Sequence, residues 1–259
     1  MADLIQSLFG NFSDFRWQMA VMWVIGAVLI YLAIKKDMEP SLLLPMGFGA
    51  ILVNLPNSGA IETLETLFNA GIDNELFPLL LFIGIGAMID FGPVLNNPKL
   101  MLFGAAAQFG IFFTLMLASI FGFSPNDAAS IAVIGAADGP TSIVVAQALG
   151  SKYLGAIMVA AYSYMALVPI VQPPVIKLLT TKQERLIRMP YEQKNVTKTT
   201  RILFPIIVTM LVGIIAPGAV ALIGFLMFGN LIRECGVLDS LSQTASTAFS
   251  NIITLLLGI

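Results

Sequence analysis

Residues 135–143 read GAADGPTSI, inside an otherwise apolar run that extends from Ala128 to Leu149. An ionised side chain at the centre of a membrane helix costs on the order of 2.5 to 3.5 kcal/mol, so Asp138, in the middle of this run, is a functional candidate by default. Gly139 is conformationally free, and Pro140 both lacks an amide proton and pushes the residue before it out of the α region. The helix must break here. The break leaves the carbonyls of Ile134, Gly135 and Ala136 without intrahelical partners, and Pro140 suits the first position of a second half-helix whose early amides are also free. Lipid tolerates neither set, so the site must face protein or water. Carbonyl oxygens, the Asp138 carboxylate and the hydroxyls of Thr141 and Ser142 then converge near the bilayer midplane. That donor set suits Na⁺ or H⁺, and secondary transporters build coupling-ion sites from such broken helices. The plainer alternative is that Asp138 pairs with a buried cation or caps the second half-helix. It is the weaker one, because nearby spans carry no internal Lys or Arg and a cap alone could be a serine.

Composition places the run in a membrane. Hydrophobic residues make up 58% of the 259 and charged ones 11%, with a mean hydropathy of +0.90, far from the balance of soluble domains. Apolar stretches of roughly 20 residues, the length that crosses a bilayer, recur along the chain. The alternation of a porin is missing, so the expected fold is an all-α polytopic bundle. Cys235 is the single cysteine and histidine is absent, which argues against a zinc, copper or haem site built by this chain alone and leaves oxygen-ligated hard cations open. The N-terminus, MADLIQSLFGNFSDFRWQM, lacks the basic start, compact apolar core and small-residue cleavage site of a signal peptide.

Spans are expected at 17–34, 40–55, 76–95, 100–122, 128–149 and 153–179. Residues 202–232 form a long apolar stretch divided at Ala216-Pro217-Gly218, either two short helices or one kinked helix. A last run begins near Phe249 and reaches Ile259 in mid-pattern, as expected of a fragment. The organisation read from this is a membrane domain over 1–179 with the ion-site helices, a basic loop over 180–201, and further membrane helices over 202–259.

From Lys177 to Arg201, the stretch holding that loop, Lys177, Lys182, Arg185, Arg188, Lys194, Lys198 and Arg201, seven of thirteen basic residues, face only Glu184 and Glu192. By the positive-inside rule it is cytoplasmic, as is Lys35-Lys36. Five crossings between them would put the two on opposite faces, so one segment does not cross. The candidates are the short 40–55 stretch and 128–149; the second, dipping in and returning, is preferred. Beyond fixing orientation, the basic loop could dock an acidic partner. Small residues in GFGA, GIGA and GAAAQFG permit close helix packing.

Three other polar residues stand out. Asp90, in GAMIDFGPVL, reads as an interfacial helix stop. Gln108 reads as interhelical glue. Tyr164, two residues from the centre of 153–179, needs a partner for its hydroxyl: either Asp138, with which it would pass a proton or complete an ion shell, or a carbonyl opened by Pro169.

GAADGPTSIVVA, FIGIGAMIDFGPVLNNPK, GAAAQFGIF, AYSYMALVPIVQPP and FGNLIRECGVLDSLS together resemble the β subunit of the sodium-translocating, biotin-dependent decarboxylases that act on oxaloacetate, glutaconyl-CoA and methylmalonyl-CoA. The similarity runs over nearly the whole chain. It implies a multi-pass subunit of the prokaryotic plasma membrane, with two inverted repeats and crossed broken helices, of which this chain holds little more than the first half. It implies a subunit that takes carboxybiotin from a mobile biotin carrier protein, releases CO₂, consumes a proton from outside and drives Na⁺ outward. Asp138 matches the family's essential aspartate and would bind Na⁺, with Thr141 and Ser142 as further ligands, then exchange it for H⁺. Tyr164 matches the essential tyrosine and would help deliver the proton. The implied partners are the biotin carrier, a carboxyltransferase α subunit and a small membrane γ or δ subunit, in an oligomeric complex without nucleic acid; activity of the chain alone is not expected. The rival reading is a sodium- or proton-coupled transporter of small carboxylates, which would need an intramembrane Arg or Lys that the spans do not offer.

Overall fold

The computed structural model describes residues 14–37, 40–188 and 196–259, apart from the side chains of Met165, Ala166 and Pro169. The first thirteen residues and Glu192 and Lys194 of the basic loop lie outside the described residues. Among the described residues all regular structure is helical. Among the described residues four helices are long and apolar enough to cross a membrane, or five if the interrupted pair Ala60–Gly71 and Leu76–Met88 counts as one; Leu154–Leu179, with some side chains undescribed, is outside that count. The chain is an integral membrane protein.

Two compact units can be distinguished, residues 1–77 with 251–259, and residues 78–250. In the first, α1 (Trp17–Lys36) and α2 (Pro40–Val53) pack through Gly26 and Gly47, each lying against the other's carbonyl oxygen, and Trp23 Nε1 donates to the Asn54 carbonyl at 3.1 Å. This realises the close approach expected of GFGA. Amphipathic α3 (Ala60–Gly71) completes the unit with the end of the chain. Its apolar residues fall at helical spacing between Glu62, Glu65 and Asn69, a stretch too polar to register as a span.

The second unit holds most of α4 (Leu76–Met88), short α5 (Gly92–Asn96), α6 (Met101–Ile120), α7 (Pro125–Val133), α8 (Gly139–Ala148), α9 (Leu154–Leu179), α10 (Lys198–Ile215), α11 (Val220–Cys235) and α12 (Asp239–Thr244) with the wider turn at Ala245–Phe249; α13 (Ser250–Gly258), which follows in the chain, belongs from residue 251 to the first unit. The divided stretch 202–232 resolves into two packed helices, α10 and α11, because Ala216 leaves helical geometry just before Pro217.

The expected span 76–95 stops early, at Met88. Asp90 accepts the Gly92 amide at 2.8 Å and so starts the short α5. The carbonyls left open at the end of α4 are met from α11: buried Asn230 donates to Ile89 at 2.9 Å, and Arg233 to Met88 at 2.6 Å. Arg201 lies 3.8 Å from Asp90 and 3.6 Å from Glu234. The end of α4, the start of α10 and the end of α11 therefore share one face.

The small residues of GIGA are used at a helix crossing. Gly86 lies against the Leu226 carbonyl and Gly229 against the Ile83 carbonyl, so α4 and α11 touch backbone to backbone. The third small-residue stretch behaves differently. Gly104 and Gly110 face open space, and α6 buries only Ala118, leaving Gln108 exposed with no packing role among the described residues.

Candidate functional site

Ser124 caps α7 by accepting the Asp127 amide, with Pro125 at the first helical position where its missing N–H costs nothing. The helix tightens over Ile134–Ala136 and ends at Ala137, whose φ of 56° and ψ of 35° are left-handed. Asp138 is extended, with φ −132° and ψ 104°, and α8 then starts at Gly139 with Pro140 in its first turn. The break stands where the Asp-Gly-Pro triplet requires it.

The second half-helix turns back. Asn126, at the start of α7, donates to the carbonyl of Leu149, which follows α8, at 3.0 Å. Asp127 seals the base of the hairpin: its carboxylate accepts from Ser124 Oγ at 2.6 Å, Ser151 Oγ at 2.8 Å and the Lys152 amide at 3.1 Å. These serine hydrogen bonds hold its carboxyl below the usual carboxylate range. Each arm, of nine and ten residues, is about 15 Å long, half a bilayer core. The tip agrees, since a Cβ at Gly135 would lie 3.5 Å from the side chain of Ile111, at the middle of α6.

Topology gives the same answer independently. Asp90 and Arg201 share a face, so an even number of crossings lies between them. Helices α6 and α9 supply two, the latter with 26 residues, and residues 125–149 supply none. Because α9 leads from the hairpin base to the face that holds Asp90 and Arg201, that base opens on the opposite face.

At the tip, Thr141 Oγ1 donates to Asp138 Oδ2 at 2.5 Å, and Ser142 Oγ donates to the Asp138 carbonyl at 3.0 Å. Asp138, Thr141 and Ser142 are thus brought together. Ser142 is fully buried and Asp138 half-buried, while Gly135, Ala136 and Ala137 are exposed. Among the described residues the Asp138 side chain forms no ion pair. The turn carries one backbone bond, from the Ala137 amide to the Ile134 carbonyl at 3.0 Å, so Ile134 is satisfied and the carbonyls of Gly135 and Ala136 stay open. One carboxylate with hydroxyl and carbonyl oxygens matches a monovalent cation in charge and hardness.

The tyrosines divide unexpectedly. Tyr164 is 43% exposed, whereas Tyr162 is 2% exposed. A Cβ at Gly139 would come within 2.8 Å of Tyr162 Cδ1 and 2.9 Å of Cζ, so the bare glycine admits the ring. Sequence reasoning passed over Tyr162, although it stands in the same AYSYM stretch. The available signal was the glycine after Asp138, which invites a large side chain from a neighbouring helix.

The sequence profile of the Na⁺-transporting oxaloacetate decarboxylase beta subunit matches residues 18–259. The chain is 48% identical, over 99% of its length, to the methylmalonyl-CoA decarboxylase subunit beta of Veillonella parvula, of which it covers 69%. It is 49% identical, over 96% of its length, to the glutaconyl-CoA decarboxylase subunit beta of Acidaminococcus fermentans, of which it covers 66%. Identity to the oxaloacetate decarboxylase beta chain of Klebsiella pneumoniae is 40%, over 93% of the chain and 70% of the relative. The chain therefore spans about two thirds of the length of these curated relatives. A match over nearly all its residues places it, as the resemblance read from its motifs implied, in the family of Na⁺-transporting decarboxylase beta subunits.

Proposed function

We propose that this chain is the part of a membrane sodium pump in which decarboxylation of carboxybiotin drives Na⁺ outward with consumption of a proton. The observation that carries the reading is the Asp138 carboxylate, set at the tip of a hairpin half a membrane deep, without a fixed cation and beside open carbonyls. A half-buried anion so placed is tolerable when a mobile cation neutralises it. Na⁺ is the cargo, held by Asp138 with Thr141 and Ser142 as further oxygen donors, and H⁺ replaces it when the ion leaves. Tyr164, two residues beyond the buried tyrosine, is the group proposed to pass the proton. The substrate is carboxybiotin on a carrier protein: its N–CO₂ bond breaks, the electron pair stays on the ring nitrogen, and that nitrogen takes one proton. A carboxyltransferase α subunit and a small membrane subunit are the further proposed partners, and the chain is not expected to turn over without them.

The test is Asp138→Asn in the assembled pump reconstituted in inverted vesicles. Loss of Na⁺-dependent decarboxylation and of Na⁺ uptake, with assembly retained, is expected; full turnover with Na⁺ uptake refutes the reading.

A further inference from the structure

A buried hydroxyl without a partner is costly, because it gives up its hydrogen bonds to water and gains none in return. Among the described residues the Tyr162 hydroxyl is in that position: the side chain is 2% exposed and its oxygen has no hydrogen-bond partner. Its ring is seated on Gly139, the residue after Asp138, and lies within coulombic range of the Asp138 carboxylate. A phenylalanine would fill the same apolar space at no such cost. A tyrosine there needs a partner that arrives and leaves.

We infer that Tyr162 is a further ligand of the cation site, its phenolic oxygen joining the Asp138 carboxylate around the bound Na⁺. The inference rests on the proposed reading of Asp138 as the cation site and adds a residue to it. A neutral oxygen suits the task, because a second carboxylate would hold a monovalent ion too tightly to release it. The location also separates the two tyrosines: Tyr162 reaches the site from inside the packed unit, and Tyr164 lies on another face of α9.

The test compares Na⁺ half-saturation of decarboxylation, and direct ²²Na⁺ binding, in the assembled pump carrying Tyr162→Phe. The variant keeps the ring on Gly139 and removes only the oxygen. At least a tenfold rise in the Na⁺ concentration for half-saturation is expected, with the rate recovered at saturating Na⁺. Unchanged half-saturation overturns the inference, and so does a lower maximal rate at unchanged Na⁺ affinity. If Tyr162→Phe does not assemble, 3-fluorotyrosine at 162, which keeps the shape and weakens the oxygen as a donor, must raise half-saturation several-fold; no shift overturns the inference. Asp138→Asn in the same preparation separates the two failures. Na⁺-dependent turnover in that variant defeats the reading of the site itself, whereas its loss beside normal Na⁺ affinity in Tyr162→Phe defeats only the role of Tyr162.

Discussion

The side-chain amide of Asn126 donates a 3.0 Å hydrogen bond to the carbonyl oxygen of Leu149, joining the start of α7 to the residue that follows α8. Residues 23 positions apart meet because the chain doubles back at Asp138. A segment that crossed the membrane would hold them about 35 Å apart, at the 1.5 Å rise of a helix.

Both ends of the hairpin are therefore expected on the outer face. With Cys235 replaced by serine, cysteines at Asn126 and Lys152 should react with an impermeant maleimide added outside intact cells, and a cysteine at Arg188 only after the cytoplasmic face is opened. Labelling of positions 126 and 152 from opposite faces defeats the hairpin topology.

Asp127 makes the hairpin base sensitive to acid. Its carboxyl is held below the unfolded value of about 3.9 by the hydroxyls of Ser124 and Ser151. A lowered folded value means that its stabilisation is complete above the unfolded pKa and is lost as pH falls through the folded one. Thermal stability of the purified subunit should drop below about pH 4, and Asp127→Asn should both lower stability at neutral pH and flatten that acid decline. An unaltered acid decline in the variant counts against the assignment.

Ala137 holds a left-handed conformation with φ 56°, which costs an L-residue about 1–2 kcal/mol. Ala137→Gly should be neutral or stabilising by up to about 1 kcal/mol, and Ala137→Val, branched at Cβ, should destabilise by more than Ala137→Gly gains. Melting temperatures in detergent read both; a loss of stability in Ala137→Gly contradicts the turn geometry.

The α4–α11 crossing should be intolerant of a single methyl group. A Cβ at Gly86 would strike the Leu226 carbonyl, and one at Gly229 the Ile83 carbonyl, neither of which is a flexible side-chain end. Gly86→Ala or Gly229→Ala should each cost about 1–3 kcal/mol as the helices are forced apart. Gly104→Ala, which faces open space on α6, should leave the melting temperature within error.

The sequence was legible wherever the controlling interaction is local. The break at Asp138 follows from the covalent chemistry of Gly139 and Pro140, and the membrane setting follows from run lengths of apolar residues. Helix starts at 17, 40 and 76 coincide with the expected span starts. The end of the third span was overrun because its stop at Met88 is completed by Asn230, 141 positions away from the carbonyl it serves. The small-residue motifs were informative only in pairs: Gly86 needs Gly229 opposite it, and Gly104 has nothing opposite it.

By itself, then, the chain's order of residues determined that a carboxylate would stand at a severed helix, since peptide geometry and the missing proline amide act over a few bonds. Only the tertiary structure decided that the second half-helix returns to the side from which the first came, and that Tyr162 meets Gly139. Residues two positions apart on one helix differ by about 200° in direction, so which tyrosine faces the hairpin depends on how α9 is turned against it, and that rotation is set by packing between segments rather than by either segment alone.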